Sequence, residues 1–342
     1  MKKYWCKIVV GTALSCIATM AWAEQPQPSA DSTFRVTLLG TGTPQPQAYR
    51  GGYSTLVEAG QQKLVFDFGR DAATRLWQMH IPLGQVNAFF LTHFHSDHTV
   101  GLADLWLTGW LQPPYGRRTQ PMALYGPKGI ATLASGLQQA YATDIGIRHK
   151  DEGTPLDGVK IDAITIQPGK VYDTDGVQVI AFNNDHGVNI KPSFGYKIIY
   201  KGHTVVLSGD TRYSPEVVKQ AQHADLLIHC VSLTSAEALR EHPAYKAVAG
   251  HLSSPQDAAR VFAESKPKLA VFSHIGLNGN VSEKDIANIV EQRYSGPFVI
   301  GEDLMHFDIQ HSPPTPPLLF GKRQHINRFN MAATIAAIFG KP

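Results

Sequence analysis

Short apolar runs recur along the chain from Arg35 to Ser273, set apart by segments rich in Gly, Pro, Asn and Asp. Runs of this length, carrying β-branched and aromatic residues, predict strands. They fall at 35–39, 54–58, 63–68, 86–92, 159–166, 177–182, 195–200, 204–208, 225–229 and 269–273. Helix-like segments lie between some of them, at 71–80, 128–141, 214–222, 254–265 and 282–293. Strands mixed with helices in this way predict an α/β layered domain, two sheets with helices outside. One stretch, 111–121 (LQPPYGRRTQP), breaks the pattern with prolines, and such loops usually run over the surface or face a substrate.

The N-terminal residues belong to a different pattern. Lys2, Lys3 and Lys7 precede an uncharged apolar run, Ile8 to Ala23, ending in Ala21-Trp22-Ala23. This has the three-part form of a secretory signal peptide, with cleavage expected after Ala23 and a periplasmic or secreted destination. The run is short of the roughly 20 residues a membrane-spanning helix needs, so no stable membrane anchor is expected after cleavage. Residues 24–33 (EQPQPSADST) read as a flexible lead, residues 34–310 as one domain, and residues 311–342 as a tail. The apolar end of that tail, Met331 to Phe339, is too short to span a bilayer and is expected to pack on the core or on a partner.

Removing residues 1–23 changes the charge. Three of the 31 Lys and Arg leave with the segment, so 28 basic residues face 28 acidic ones. A chain with no net positive charge lacks the electrostatic footprint of a protein that grips a polyphosphate backbone, which argues against bulk nucleic acid as a partner. Cys6 and Cys16 also leave, and the remaining Cys230 has no partner for an intramolecular disulfide. Stability must then come from a core, which a chain of this size with 43% apolar composition can bury.

The candidate chemistry begins after the run VNAFFLT, where His93-Phe94-His95-Ser96-Asp97-His98 places four potential metal ligands in six residues. Neutral imidazole nitrogens with carboxylate to complete the shell suit Zn2+. Three more ligand types follow apolar β-runs: His186 in FNNDHG, Asp210 in VVLSGDT and His274 in LAVFSHIG. A single histidine at a strand end is more often structural, as His203 and His229 illustrate, but together with the cluster these supply seven ligands. Neither a GxSxG elbow nor an HExxH helix is present, so a side-chain serine nucleophile and that class of zinc protease lose ground.

Through VTLLGTGTPQP, FDFGRDAATRLW, LTHFHSDHTVGLADLWLTGW, SGDTRYS, HLSSPQDAARVF and VFSHIG, the chain resembles the metallo-β-lactamase superfamily over nearly its whole length. Within it, the branch it looks most like holds ribonuclease Z and arylsulfatase-like hydrolases, and RGGYSTLVEAG and DLWLTGWLQPPYGRR point to the arylsulfatase-like side. The resemblance implies a four-layer αββα sandwich and two zinc ions, with Mn2+ or Fe2+ as possible replacements. One ion would take His93, His95 and His186, the other Asp97, His98 and His274, with Asp210 bridging. Two metals about 3.5 to 4 Å apart can share a hydroxide and polarise a phosphoryl, sulfuryl or acyl oxygen.

The same resemblance assigns catalysis to Asp97 and His251, the latter as the proton donor to the leaving oxygen. In the ribonuclease Z pattern a Glu follows the His of the DLLIH strand and pairs with that acid, whereas here Cys230 follows His229. Asp67 in LVFDFG resembles a buried carboxylate that orients ligand loops, while an Asp before Gly69 also reads as a turn residue. The amides of Gly40 to Pro44 are expected to face the substrate's anionic oxygens. Trp106, Trp110 and Tyr115 with Arg117 and Arg118 either form an aromatic, cationic wall for an aryl ester, or pack a helix while the arginines meet solvent. Cys230 reads as a small buried residue rather than a ligand.

The expected activity is hydrolysis of sulfate esters, or of small phosphodiesters, on a small anionic ester substrate. A tRNA end-processing nuclease and a lactone, carboxylic ester or β-lactam hydrolase are the alternatives within the fold, and a non-catalytic zinc-binding protein is the alternative outside it. A homodimer is possible.

Overall fold

The computed structural model describes residues 33–309. The signal segment, most of the 24–33 lead and the tail from 311 lie outside the described residues. Among those described, no helix is long and apolar enough to cross a membrane.

Two seven-stranded sheets carry the fold. The first contains β1 (Phe34–Gly40), β2 (Ser54–Ala59), β3 (Gln62–Phe66), β4 (Ala88–Phe90), β5 (Met122–Gly126), β6 (Ile161–Thr165) and β14 (His306–Asp308), in the order β14-β1-β2-β3-β4-β5-β6. The second contains β7 (Gly169–Thr174), β8 (Val177–Asn183), β9 (Phe194–Tyr200), β10 (His203–Leu207), β11 (Leu226–Thr234), β12 (Ala270–Asn278) and β13 (Phe298–Ile300), in the order β13-β12-β11-β10-β9-β8-β7. Each sheet is antiparallel where hairpins join its strands and parallel where helices do, as at β3 with β4 and β11 with β12.

Strand alternation decides the layers, because successive side chains point to opposite faces. Val36, Leu38, Phe66 and Phe90 of the first sheet meet Val179, Tyr196, Ile198, Val205 and Ile228 of the second, forming a dry layer between the sheets. On the outer face of the first sheet, Leu56, Val65 and Phe89 pack under α1 (Ala72–Gln78), α3 (Leu102–Trp110) and α4 (Ile130–Ala140). On the outer face of the second, Leu227, Val231, Ala270 and Phe272 pack under α6 (Pro215–Gln220), α9 (Pro255–Ser265) and α10 (Glu283–Glu291). The result is the expected αββα sandwich. Ser254 and Ser282 open α9 and α10 with capping boxes to Asp257 and Asp285, each satisfying backbone donors that would otherwise be orphaned.

Five helices and four strands of the structure had no counterpart in the apolar pattern. These are the single-turn α2 (Ser96–Thr99), α3, which entered only as one reading of Trp106 and Trp110, α5 (Ala142–Glu152), α7 (Ala236–Glu241) and α8 (Ala244–Ala249), with β5, β7, β13 and β14. Helix α5 buries no side chain, so it carries no apolar stripe to read. The other large difference lies in β11 and β12, which run to Thr234 and Asn278 rather than stopping at 229 and 273. Their continuations are interrupted by His, Cys and Ser, yet the two strands pair with each other along their whole length.

His229 sits on the outer face of β11, fully buried, with its ring edge-on to Phe262 of α9 at 5.7 Å. Its Nε2 has no hydrogen-bond partner, and burial pushes its pKa down to about 4. The unfolded chain takes up this proton near pH 6.5 and the folded chain only near 4. The stability contributed by a neutral His229 is therefore complete above pH 6.5 and is lost as pH falls towards 4, by on the order of 3 kcal/mol in all. In His229→Leu, urea unfolding between those pH values should decline less steeply by about that amount, and an unchanged profile would refute the assignment.

Candidate metal centre

The site lies where several strands of both sheets end on one rim. After β4 the chain passes through Thr92 and His93 and turns into α2, which is four residues long and starts at Ser96. That single turn places Asp97 and His98 towards the rim, both buried. Gly101 lets the next helix approach the 67–70 turn, because a Cβ there would come within 2.3 Å of the Gly69 carbonyl oxygen. His186 follows β8, and Asp210 follows β10 through Gly209, whose φ of 61° makes the turn.

His274 is supplied by an irregularity. Cys230 pairs with Ser273 and Val231 with Ile275, so His274 is an extra residue bulged out of β12. Its φ of 49° lies in the left-handed region, a conformation that costs a non-glycine residue of order 1 kcal/mol and clusters at functional sites. A bulge of this kind re-aims a side chain, here to the rim.

These side chains form two groups. His93, His95, His186 and Asp210 present ligand atoms within 4.8 Å of one another, and so do Asp97, His98 and His274. Asp210 belongs to both by distance: its Oδ2 lies 3.7 Å from His186 Nε2, 3.4 Å from His98 Nε2 and 3.2 Å from His274 Nε2. Asp97 Oδ2 lies 3.1 Å from His274 Nε2 and 3.5 Å from His98 Nε2. All seven expected ligands are thus brought together, in the expected partition.

The hydrogen bonds behind the rings say which nitrogens are free for a cation. His98 Nδ1 lies 2.9 Å from Asp67 Oδ2, His186 Nδ1 lies 2.8 Å from the His251 carbonyl oxygen, and His93 Nδ1 lies 2.9 Å from Thr92 Oγ1. Thr92 Oγ1 in turn donates to Asp67 Oδ2 at 2.8 Å, so its lone pair is left to accept from His93. With each Nδ1 donating outwards, each Nε2 turns a lone pair inwards, which is how metal-binding imidazoles are oriented. Inside, His93 Nε2 and His186 Nε2 both crowd His95 Nδ1, at 2.9 and 3.2 Å, while His98 Nε2 and Asp210 Oδ1 are buried without a hydrogen bond. Converging lone pairs and orphaned buried atoms of this kind fit divalent cations in both groups.

Electrostatics follow the same geometry. Burial opposes ionisation of Asp210, and the His274 and His98 imidazoles overcome it, holding its pKa well below the carboxylate range. Burial likewise opposes the His98 imidazolium, and Asp210 with Asp67 overcomes it, so its pKa stands well above the usual value. His93, by contrast, is pushed well below by burial and by His98, and burial takes His186 down to about 4.

Asp67 takes the orienting role. It is fully buried, accepts from the Thr92 amide at 2.8 Å as well as from the Thr92 hydroxyl and His98, and adopts a φ of 58°. The turn reading and the orienting reading are therefore both true of it. His251 lines the cleft half-buried, its ring centroid 5.0 Å from that of His186 and 6.3 Å from that of His95. Burial and His95 lower its pKa, with only Asp210 opposing among the nearby carboxylates, as the missing Glu after His229 leads one to expect. Cys230 is buried, its Sγ 3.3 Å from the Thr211 amide and 3.2 Å from the Thr211 carbonyl oxygen. Burial pushes this thiol up to about 12, so it stays protonated and structural.

Of the two readings of the segment after the cluster, packing holds for the tryptophans: Trp106 and Trp110 are buried and donate to the carbonyl oxygens of Val159 and Pro155, packing α3 onto the sheet away from the lining of this cleft. Arg118 does not meet solvent either: it is buried, donating to the carbonyl oxygens of Gly158 and Trp106, while Tyr115 and Arg117 are exposed. The amides of the Gly40 to Pro44 loop are also partly committed. Thr41 N donates to Asp303 Oδ1 at 3.0 Å and Gly42 N to the Gly51 carbonyl oxygen at 2.8 Å. The loop faces the cleft through Thr43, Pro44 and Gln45 instead.

Asp303 is the residue that holds this loop, and nothing in its sequence setting announced it. It also accepts from Thr41 Oγ1 at 2.8 Å and Gly51 N at 2.7 Å, and pairs with Arg75 at 3.0 Å. The cleft itself is about 500 Å3, with the candidate ligands His95, Asp97, His186, Asp210 and His274 at one end.

The chain is similar to known proteins in sequence and in fold. The family model described as anti-Pycsar protein Apyc1 matches residues 34–256. A ribonuclease Z of Mycolicibacterium gilvum (strain PYR-GCK) is 31% identical over 274 residues, covering 79% of this chain and 94% of its own. Among solved structures, the metallo-β-lactamase-fold protein YhfI from Bacillus subtilis has a TM-score of 0.64 at 17% identity, covering 81% of this chain and 99% of its own. Human tRNase Z, short form, has 0.60 at 24% identity, covering 81% and 100%.

Proposed function

Because the chain belongs to the metallo-β-lactamase-fold hydrolase family that holds ribonuclease Z and the anti-Pycsar protein Apyc1, we propose that it cleaves small monoanionic phosphodiesters with two zinc ions. His93, His95 and His186 would hold one ion and Asp97, His98 and His274 the other, with Asp210 within reach of both groups. Bound there, the ions would lower the pKa of a water and polarise the phosphoryl oxygens. The protein's part is to fix the ligand nitrogens through Asp67, Thr92 and the His251 carbonyl, and to present the His251 ring to the departing oxygen as proton donor. Asp97 faces the cleft with its carboxylate anchored on His274.

The observation that carries this reading is the lining of the cleft. Among the described residues it contains His and Asp but no Lys or Arg. The substrate's negative charge must then be met by the cations alone, which suits a centre bearing one negative charge better than a phosphomonoester dianion or a polyphosphate backbone. A sulfate ester presents the same tetrahedral monoanion, and the segments RGGYSTLVEAG and DLWLTGWLQPPYGRR favour it as a second substrate class. The ribonuclease Z relatives favour tRNA end-processing as the other reading.

Turnover of bis-para-nitrophenyl phosphate, para-nitrophenyl sulfate and a precursor tRNA by the zinc-loaded chain separates the three. The diester should be cleaved fastest. Faster sulfate or tRNA cleavage would move the assignment to that class, and failure on all three would turn it towards a lactone, carboxylic ester or β-lactam. The proposal places the reaction in the periplasm or outside the cell, on the strength of residues 1–23.

A further inference from the structure

We infer that the end of the cleft beside His251 selects the departing alcohol, and that Tyr245 is the residue that makes an uncharged planar ring the preferred leaving group. The inference rests on the phosphodiesterase reading above and names what that site recognises.

Helix α8 immediately precedes His251 in the chain, and the His251 amide donates to the Val248 carbonyl oxygen at 3.3 Å. Tyr245 and Val248, three residues apart and so on one helical face, line the cleft together with Leu252 on the far side of His251. The proton donor thus sits inside an apolar wall. With His186 and His95 standing 5.0 and 6.3 Å from the His251 ring, the apolar lining available to the organic group of a leaving oxygen protonated by His251 is the one Tyr245, Val248 and Leu252 supply.

Ser232 and Gly276, paired with each other on the ends of β11 and β12, line the same cleft. Ser232 is only 8% exposed and its hydroxyl has no partner. A Cβ on residue 276 would come within 2.9 Å of that hydroxyl oxygen, so Gly276 keeps the space beside it open. An unpaired buried hydroxyl is costly unless something bonds to it, and a ring with one polar edge fits between it and the apolar wall. With no Lys or Arg among the described lining residues, nothing there pairs with an anionic group, and the apolar wall favours an uncharged one. Tyr245 is partly exposed and lines the cleft, its ring perpendicular to that of His242 at 5.6 Å, which makes it the aromatic surface there for a planar group to stack on.

The test uses two methyl phosphodiesters that share the retained group and the acidity of the leaving group, one departing as a phenol and one as a fluorinated alcohol. Tyr245→Ala should lower kcat/KM for the aryl diester about tenfold and leave the alkyl diester within about twofold, the range expected for one lost aromatic contact. Tyr245→Phe, which keeps the ring, should stay close to wild type on both. Equal losses on the two diesters, or no loss on the aryl one, would overturn the inference while leaving the phosphodiesterase reading intact. If wild type cleaves neither diester, the phosphodiesterase reading fails, and this inference with it.

Discussion

Asp210→Ala is expected to yield a chain that retains at most part of its metal and has lost about a thousandfold or more of its diesterase rate, the several kcal/mol that metal-ion stabilisation supplies. The reason is position. Among the described residues, Asp210 is the carboxylate whose single oxygen lies within 3.7 Å of nitrogens from both ligand groups. Its other oxygen is buried and unpartnered, so both are available to cations. Alanine leaves five buried or half-buried imidazoles facing one another with only Asp97 between them. Metal content per chain, measured beside kcat, checks this. Full metal content with a rate within about tenfold of wild type would show that the bridge is misassigned.

Asp67→Ala should have the second largest effect, through residues it never shares a ligand with. Asp67 fixes His98 directly and His93 through Thr92, one residue from each group. Removing partners behind metal-binding histidines typically costs ten- to a hundredfold in affinity or rate. The variant also leaves the Thr92 amide, 2.8 Å from the Asp67 carboxylate in the native chain, without its acceptor in a fully buried setting, a loss on the order of 2 kcal/mol. Zinc affinity by competition with a chelator, together with urea unfolding of the metal-free chain, separates the two effects. Lower stability with unchanged zinc affinity would reduce Asp67 to a turn residue.

Why the ligands were legible and their surroundings were not follows from how each is encoded. His93 to His98 are adjacent in sequence, and His186 and Asp210 each end an apolar run, so local pattern suffices to find them. Helices α1, α4, α6, α9 and α10 were readable from local apolar faces or serine caps. The bulge that aims His274 depends on pairing between β11 and β12, a contact between distant segments that no window of sequence contains. The same pairing carries Ser232 and Gly276 into the cleft, beyond where the apolar runs end. Asp303 is separated by 262 residues from the loop it holds, and its value lies wholly in that distant contact. Nearness in sequence to His98 left two readings of the aromatic segment open, and α3 decides between them by turning Trp106 and Trp110 into the layer between helix and sheet.

The central claim is that these seven residues form a two-metal hydrolytic site, and the most direct measurement is metal stoichiometry followed through one cycle of removal and return. The chain as purified, stripped with a chelator and then titrated with zinc, should lose cleavage of bis-para-nitrophenyl phosphate on stripping and regain it as bound zinc rises from one to two equivalents. Activity that survives stripping, or a chain that saturates with two zinc ions and still cleaves no ester, would contradict it.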